Sequence, residues 1–433
     1  MNIRARVITL GCRVNQYESD AIMWELSQNG IEIARDNEPS DIVVINTCSV
    51  TSESDRKSRQ QIRRAISLNP NAVVIVTGCY SQINPQRALN IPGVSFVCGN
   101  NGKSVIAKKA LELLKEKNRT PFAYMPDIYE GKFDVMTAHA PLTRTRAFVK
   151  IQDGCESKCA YCIIPYARGN VRSNAPENVI NEIKAIVANG SREVVLTGIE
   201  TAAYGRDFKN GYGLGDLLTE TNKIEGLSRI RLGSLDPSAI TKDFVDKIKA
   251  LDKVMPHFHI SMQSGSTRIL NLMRRKYNMD MARRNIQYLR ECIPCNLSAD
   301  IITGFPGESD ADFEETMEFF KGEEFLHIHI FPYSKREGTP AATMPNQVSD
   351  EIKKARLHML EKIEADTKNS IYNRIISAAQ PVEILFETFD GEFAYGHTRD
   401  FIEIKAKSSA PLGGQILSAT PIGIDGAYLL CEI

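Results

Sequence analysis

Early in the chain, three stretches share one pattern: a short run of β-branched residues that stops at a cysteine. They are VITLGC ending at Cys12, VVINTC ending at Cys48 and VVIVTGC ending at Cys79. The underlying apolar runs are Ile3–Leu10 (interrupted by Arg4 and Arg6), Asp41–Ile45 and Ala72–Thr77, with a fourth at Val94–Val97. Short Val- and Ile-rich runs bounded by Gly, Asn or Ser read as buried strands. Segments of helical period, Ser19–Asn29 and Ser54–Leu68, lie between them. This alternation predicts a parallel α/β sheet, whose C-terminal strand ends line one edge, where such folds bind ligands. Cys12, Cys48 and Cys79, separated by 36 and 31 positions, are therefore expected to meet at that edge. Structural cysteines would more often lie inside the strands.

Strand–helix alternation resumes between Arg146 and Tyr333. Candidate strands are Ala147–Ile151, Glu193–Thr197, Arg229–Leu232, His257–Met262, Leu297–Thr303 and Leu326–Phe331. Six βα units predict a full or partial barrel, with its reactive side at the C-terminal strand ends; the pattern alone leaves an open doubly wound sheet as the alternative. Between the two α/β regions, residues 118–144 hold Pro121, Pro126 and Pro141 with little periodicity and read as a linker. Ser349–Ala378 reads as a long charged helix. After it come the short strands Val382–Phe386, Phe401–Lys405, Gln415–Ala419 and Ala427–Cys431, a small β-barrel or sandwich. The expected domains are thus 1–117, a linker at 118–144, 145–370 and 371–433.

The N-terminal segment MNIRARVITLGC has no signal-peptide core, and no window approaches the roughly 18 apolar residues of a membrane span. A cytoplasmic protein without membrane contact is expected. The ten cysteines are then not a disulfide framework, because cytosolic thiols stay reduced; metal binding or catalysis is the expected use. Lys+Arg equals Asp+Glu at 53 each, which argues against indiscriminate nucleic-acid binding while allowing local basic patches.

The segment GCESKCAYC sets Cys155, Cys159 and Cys162 in a CxxxCxxC loop just after a predicted strand. Three thiolates on one loop can wrap a single cluster, whereas a zinc site would recruit a fourth Cys or His nearby and none is present. Three ligands on a four-iron cluster leave one iron open. That position suits the amino and carboxylate groups of S-adenosylmethionine, whose sulfonium an electron can cleave.

This motif, with Tyr161 before its last cysteine, resembles the radical S-adenosylmethionine (SAM) superfamily. GCRVNQYESD, NTCSVT and VTGCYSQ resemble the N-terminal domain of the methylthiotransferases, and RTRAFVKIQDGCESKCAYCIIPYARG resembles their radical domain. HFHISMQSGS, ADIITGFPGE and FPYSKREGTPA continue the likeness, and the tail is similar to a TRAM domain, a β-module that binds RNA. Within the family, GCRVN and NTCSVT look like the branch acting on N6-threonylcarbamoyladenosine (t6A) at position 37 of tRNA; the isopentenyladenosine branch usually shows GCQMN.

The resemblance implies an α/β chain: a parallel-sheet domain, a radical SAM partial (β/α)6 barrel and a TRAM-like all-β domain. It implies two [4Fe-4S] clusters, on Cys12/Cys48/Cys79 and on Cys155/Cys159/Cys162, and SAM as cofactor. One SAM methylates a sulfur held at the first cluster. Another is cleaved at the second to give a radical that removes hydrogen from C2 of the adenine. The partners implied are tRNA, through its anticodon loop, and an electron donor; the sulfur source is not specified. By the same likeness, Tyr161 contacts the cofactor's adenine through its backbone. Gly198 and Glu200 occupy the place of the superfamily's glycine-rich, acid-containing stretch, or form a plain strand-end turn. Ser234 and Asp236 face the methionine or ribose part, and Gln263 hydrogen-bonds the cofactor. Arg275 and Asp300 order the site or substrate, or else belong to buried structural ion pairs.

Other features have plainer readings. Cys98 reads as a buried small residue with a ligand role as alternative, Cys431 as core, and Cys292 and Cys295 (CIPC) as packing rather than a redox or zinc pair. His257, His259, His327 and His329 alternate along strands as barrel residues. The basic run Arg56–Arg64 on a predicted helix is either an RNA-phosphate dock or a solvated face. Competing functions are an isopentenyladenosine or ribosomal-protein methylthiotransferase and a non-catalytic Fe–S RNA-binding protein.

Overall fold

In the computed structural model, which describes residues 3–35, 38–116, 118–138 and 145–433, the first sheet is parallel throughout. Its strands are β1 (Arg4–Thr9), β2 (Glu32–Ile33), β3 (Ile42–Thr47), β4 (Val73–Gly78), β5 (Phe96–Cys98) and β6 (Phe122–Tyr124), ordered β2-β1-β3-β4-β5-β6. β3 and β4 are buried on both faces, which is why they read as unbroken apolar runs. Val44, Val73 and Ile75 pack on one side with Tyr17, Ile22 and Leu26 of the Arg13–Gln28 helix; Val43, Val74 and Val76 pack on the other with Ile62 and Ala65. The edge strand β6 falls inside the stretch expected to be irregular; its three residues are too few for a period to register. The end of that stretch, 139–144 with Pro141, lies outside the described residues.

The central region contains six parallel strands: β7 (Arg146–Lys150), β10 (Glu193–Thr197), β11 (Arg229–Leu232), β12 (His257–Gln263), β13 (Asn296–Thr303) and β14 (His327–Pro332); a small antiparallel pair, β8 (Gln152–Asp153) with β9 (Arg172–Ser173), follows β7. Two three-stranded sheets, β7-β10-β11 and β12-β13-β14, are joined by bridges at Ile230↔Val254 and Leu235↔Ile260. The strands run in chain order around a partial barrel, so the open doubly wound alternative does not hold. Alternation along each strand sorts its two faces. Ala147, Val149, Val194, Leu196, Ile230, Leu232, Phe258, Ile260, Leu297 and Ala299 join the apolar layer shared with the helices Val179, Ile183, Leu217 and Ile286 belong to. The opposite, concave face carries Arg146, Lys150, Glu193, Arg231, His257, His259, Ser298 and Asp300. The Arg13–Gln28 helix packs on β7 and the Asp350–Ala378 helix on β14, covering the two open edges.

The tail is a closed five-stranded barrel, β15 (Val382–Phe389), β16 (Phe393–Thr398), β17 (Glu403–Lys407), β18 (Ile416–Asp425) and β19 (Tyr428–Glu432), ordered β15-β16-β17-β19-β18. Four strands were expected from its sequence. β16 (FAYGHT) escapes notice because Gly396 dilutes its pattern, and its Gly is needed where a Cβ would meet the Leu385 carbonyl oxygen at 2.2 Å. The expected strand at Phe401 starts two residues later, because Phe401 adopts φ 70°. Arg229 and Arg231 of β11 tie this barrel to the centre by donating to the carbonyls of His397, Thr398 and Arg399. Among the described residues no helix is long and apolar enough to cross a membrane.

Candidate active site

Cys12, Cys48 and Cys79 follow β1, β3 and β4, three consecutive strands whose ends are in register (Thr9↔Asn46, Asn46↔Thr77, Thr47↔Gly78). Adjacent strands are ~4.8 Å apart, so the outer two cysteines start about 10 Å apart with the third between them. Two glycines make the approach possible. A Cβ on Gly11 (φ 100°) would lie 2.9 Å from Cys48 Cβ and 3.0 Å from its Sγ, and one on Gly78 (φ 98°) would strike the Thr47 carbonyl oxygen at 2.3 Å. Asn15 Nδ2 donates to the carbonyls of Leu10 (2.7 Å) and Thr47 (3.0 Å), fixing the turn around Cys12 against β3.

The second group lies on the loop after β8. Cys155 Sγ is 3.1 Å from Glu200 Oε2, Cys159 Sγ accepts from Arg275 Nη1 at 3.4 Å, and Cys162 N bonds the Cys159 carbonyl. The two groups face one another. The short helices Cys79–Ile83 and Ile164–Arg168 pack together, and Asn100 Nδ2 bridges them, donating to Ala167 O (2.8 Å) and Cys79 Sγ (3.6 Å). Cys79 also acts electrostatically on Cys162.

Burial raises the thiol of Cys48 to about 11 and those of Cys155 and Cys162 to about 12, and neighbouring thiols add to the rise in each case. Cys12 is raised in the same way although solvent reaches it in its recess. Packed thiolates repel one another, and a bound iron core is the counter-charge that would deprotonate them outright. The donor set therefore fits two thiolate-ligated clusters. Among the described residues no three His, Cys, Asp or Glu side chains close on a point as they would around one metal ion; a cluster instead takes one thiolate per iron. Cys98 faces elsewhere, fully buried with its Sγ toward Gly102 O (3.5 Å). Cys431 is core, and Cys292 and Cys295 pack partly buried against the outer apolar layer.

Of the remaining predicted positions, Glu200 and Arg275 touch cysteines of the CxxxCxxC loop, and Asp236 joins them through Arg275. Glu200 receives Arg206 (2.9 Å), and its N–H donates to Gln152 Oε1 (2.9 Å), against which Gly198 packs too closely for a side chain. Asp236 pairs with Arg275 at 2.7 Å and caps Ser238 N; Ser234 lies half-buried two residues before it. Gln263 ends β12 at φ 65°. Tyr161 is set edge-on to Phe305. Arg275 and Asp300 do not pair with one another: Asp300 lies deeper on the concave face with His259 Nε2 at 3.1 Å. His259 and His257 share the Ser298 hydroxyl (2.8 and 3.1 Å), as expected for satisfied barrel histidines.

A charged cluster between the first two domains had no counterpart in the sequence reading. Glu18, on the Arg13–Gln28 helix, accepts from Lys103, from Lys150 of β7 (2.8 Å) and from Arg168 (2.6 Å). Asp153 pairs with Lys150 (2.6 Å) and Arg168 (3.2 Å), and Arg168 also donates to Asn15 Oδ1 (2.5 Å). Glu18, Lys103 and Arg168 are all 0% exposed. Burial opposes its charge, yet Arg168, Lys103 and Lys150 hold the Glu18 carboxyl well below the usual carboxylate range. The same Arg168 acts on Cys12, so this cluster puts positive charge beneath the first thiol group.

A cysteine-loop site at the C-terminal mouth of a parallel partial barrel defines a radical SAM protein, and residues 149–320 match the Radical SAM superfamily model. Residues 4–99 match that of an uncharacterized family, UPF0004. The threonylcarbamoyladenosine tRNA methylthiotransferase MtaB of Bacillus subtilis (strain 168) is 39% identical over 94% of this chain and 91% of its own length. Its namesake from Rickettsia prowazekii is 35% identical over 100% and 98%. A tRNA-2-methylthio-N(6)-dimethylallyladenosine synthase of Moorella thermoacetica is 37% identical over 88% and 86%. The chain belongs to the tRNA methylthiotransferase family of radical SAM enzymes. Among solved structures, the radical SAM methyltransferase TsrM from Kitasatospora setae, with cobalamin and a [4Fe-4S] cluster, superposes with TM-score 0.58 over 79% of this chain and 77% of that one. At 15% identity this is a likeness of fold.

Proposed function

We propose that this enzyme adds a methylthio group to C2 of N6-threonylcarbamoyladenosine in the anticodon loop of cytoplasmic tRNA, using SAM, two [4Fe-4S] clusters and an external electron donor. The observation that carries the proposal is the approach of two three-thiol groups, whose following short helices pack together and are bridged by Asn100 from Cys79 Sγ to Ala167 O. Cys155, Cys159 and Cys162 would hold the cluster that reduces the SAM sulfonium and so supplies hydrogen abstraction from an aromatic carbon, and Cys12, Cys48 and Cys79 the one on which the sulfur to be methylated is held.

This chain's own groups do the binding. Glu200 and Asp236 offer carboxylates to the ammonium and hydroxyl groups of SAM, with Ser234, Gln263 and Tyr161 beside them. Arg275, pinned by Asp236, brings a cation to Cys159. Arg63 and Lys57, exposed on the helix that begins just after Cys48, suit an RNA backbone, and the C-terminal barrel offers a second RNA surface.

The relatives that carry the threonylcarbamoyl name, at 39% and 35% identity over nearly the whole chain, support this substrate over a dimethylallyl one. Nucleoside mass spectrometry of tRNA from a strain lacking the gene tests this. The 2-methylthio derivative of t6A should vanish with t6A retained; loss of the isopentenyl derivative instead would overturn the assignment.

A further inference from the structure

Among the described residues, the strand cations of the concave face and Arg275 beside it are paired, whereas Arg13 is not. Arg146 binds Glu387 (2.5 Å), Lys150 binds Glu18 and Asp153, Arg229 binds Glu383 (2.8 Å), Arg231 binds Glu193 (2.8 Å) and Arg275 binds Asp236. Arg13 makes no hydrogen bond or ion pair among the described residues. It is the first residue of the Arg13–Gln28 helix, directly after Cys12, and that helix covers the open edge of the barrel at β7. Its backbone is thus anchored beside the first thiol group, and both Arg13 and Cys12 are exposed.

Its charge reaches into the barrel. Asp300 of β13 attracts it, Arg146 of β7 repels it, and it acts in turn on His257 of β12. The nearby carboxylate is already engaged by His259.

We propose that Arg13 binds the carboxylate of the threonylcarbamoyl group and so selects this modified adenosine. The inference rests on the t6A reading above. Joining threonine to adenosine through its nitrogen leaves the amino acid's α-carboxylate free, and this is the only anionic group on the modified base. Guanidinium presents two parallel N–H donors to a carboxylate. Arg13 thus fixes the base by its far end while its chain neighbour Cys12 belongs to the group that faces the reacting carbon. Asp300 draws the guanidinium toward the barrel by its charge without pairing with it.

The test uses the full-length protein with both clusters reconstituted and two anticodon stem-loop RNAs, one carrying t6A and one carrying its carboxamide. Binding is read by fluorescence anisotropy and turnover by methylthio product. Wild type should prefer the carboxylate RNA roughly ten- to hundred-fold, the range of a charge-assisted hydrogen bond. Arg13→Gln should bind and turn over both RNAs alike, at the level wild type shows with the carboxamide. Arg13→Lys should keep part of the preference. Iron content and SAM cleavage without RNA should match wild type in both variants. A preference undiminished in Arg13→Gln overturns the proposal. Failure of wild type to act on the t6A RNA at all would instead overturn the substrate assignment.

Discussion

Replacing Glu18 by glutamine should loosen the N-terminal domain from the radical domain. Glu18 is one carboxylate among three cations; with Asp153 and Arg172 the buried set holds two negative and four positive groups. The neutral amide would leave Lys103 without its carboxylate and Lys150, Arg168 and Arg172 sharing Asp153. Breaking one fully buried pair costs about 3–5 kcal/mol, because the orphaned charge keeps its desolvation penalty. With a urea dependence of about 2 kcal/mol per M, the unfolding midpoint should fall by roughly 2 M. The single tryptophan, Trp24, lies on the same helix as Glu18, so its fluorescence reports the right transition. The exposed pair Glu53–Arg56 supplies the control: Glu53→Gln should leave the midpoint where it is. A Glu18→Gln midpoint within about 0.5 M of wild type would refute the reasoning, by showing the buried set to be no more costly to break than a surface pair.

Three further outcomes follow from the geometry. Gly11→Ala should lower iron incorporation at the first thiol group, since its Cβ has no room beside Cys48; iron analysis after reconstitution checks this, and full loading would contradict it. Burial raises Glu182 to about 7, against partial relief from Ala138 N–H and Tyr17. Between the unfolded value of 4.5 and about 7 the native state holds the extra proton, so stability should fall as pH rises through that window and level off above it. Glu182→Gln should flatten that part of the stability–pH curve, and an unchanged slope would count against it. Arg231→Met should release the C-terminal barrel by removing bonds to Thr398 and Arg399, seen as faster hydrogen exchange in β16, with SAM cleavage retained.

What the sequence disclosed and what it hid divide by range. Cys12, Cys48 and Cys79 could be placed together without any motif, because a parallel sheet sends every strand end to one edge and the three strands proved to be neighbours. Cys155, Cys159 and Cys162 are local in sequence and needed no fold. By contrast, Lys103, Lys150 and Arg168 lie 85, 132 and 150 positions from Glu18, and each alone looks like a surface charge. Only docking of the domains buries them. Asn100 and Gln152 were invisible for the same reason: they act by bonding groups from distant segments. Arg275 and Asp300 were both marked, but their partners, Asp236 and His259, could not be read without the barrel's curvature.

The central claim is that one chain holds two separate clusters with divided labour. Iron analysis and 5′-deoxyadenosine production by anaerobically reconstituted protein test it most directly. Wild type should carry about eight irons, and alanine at Cys12, Cys48 and Cys79 should leave about four together with undiminished SAM cleavage. Wild-type protein with only about four irons, or loss of cleavage in that variant, would contradict the account.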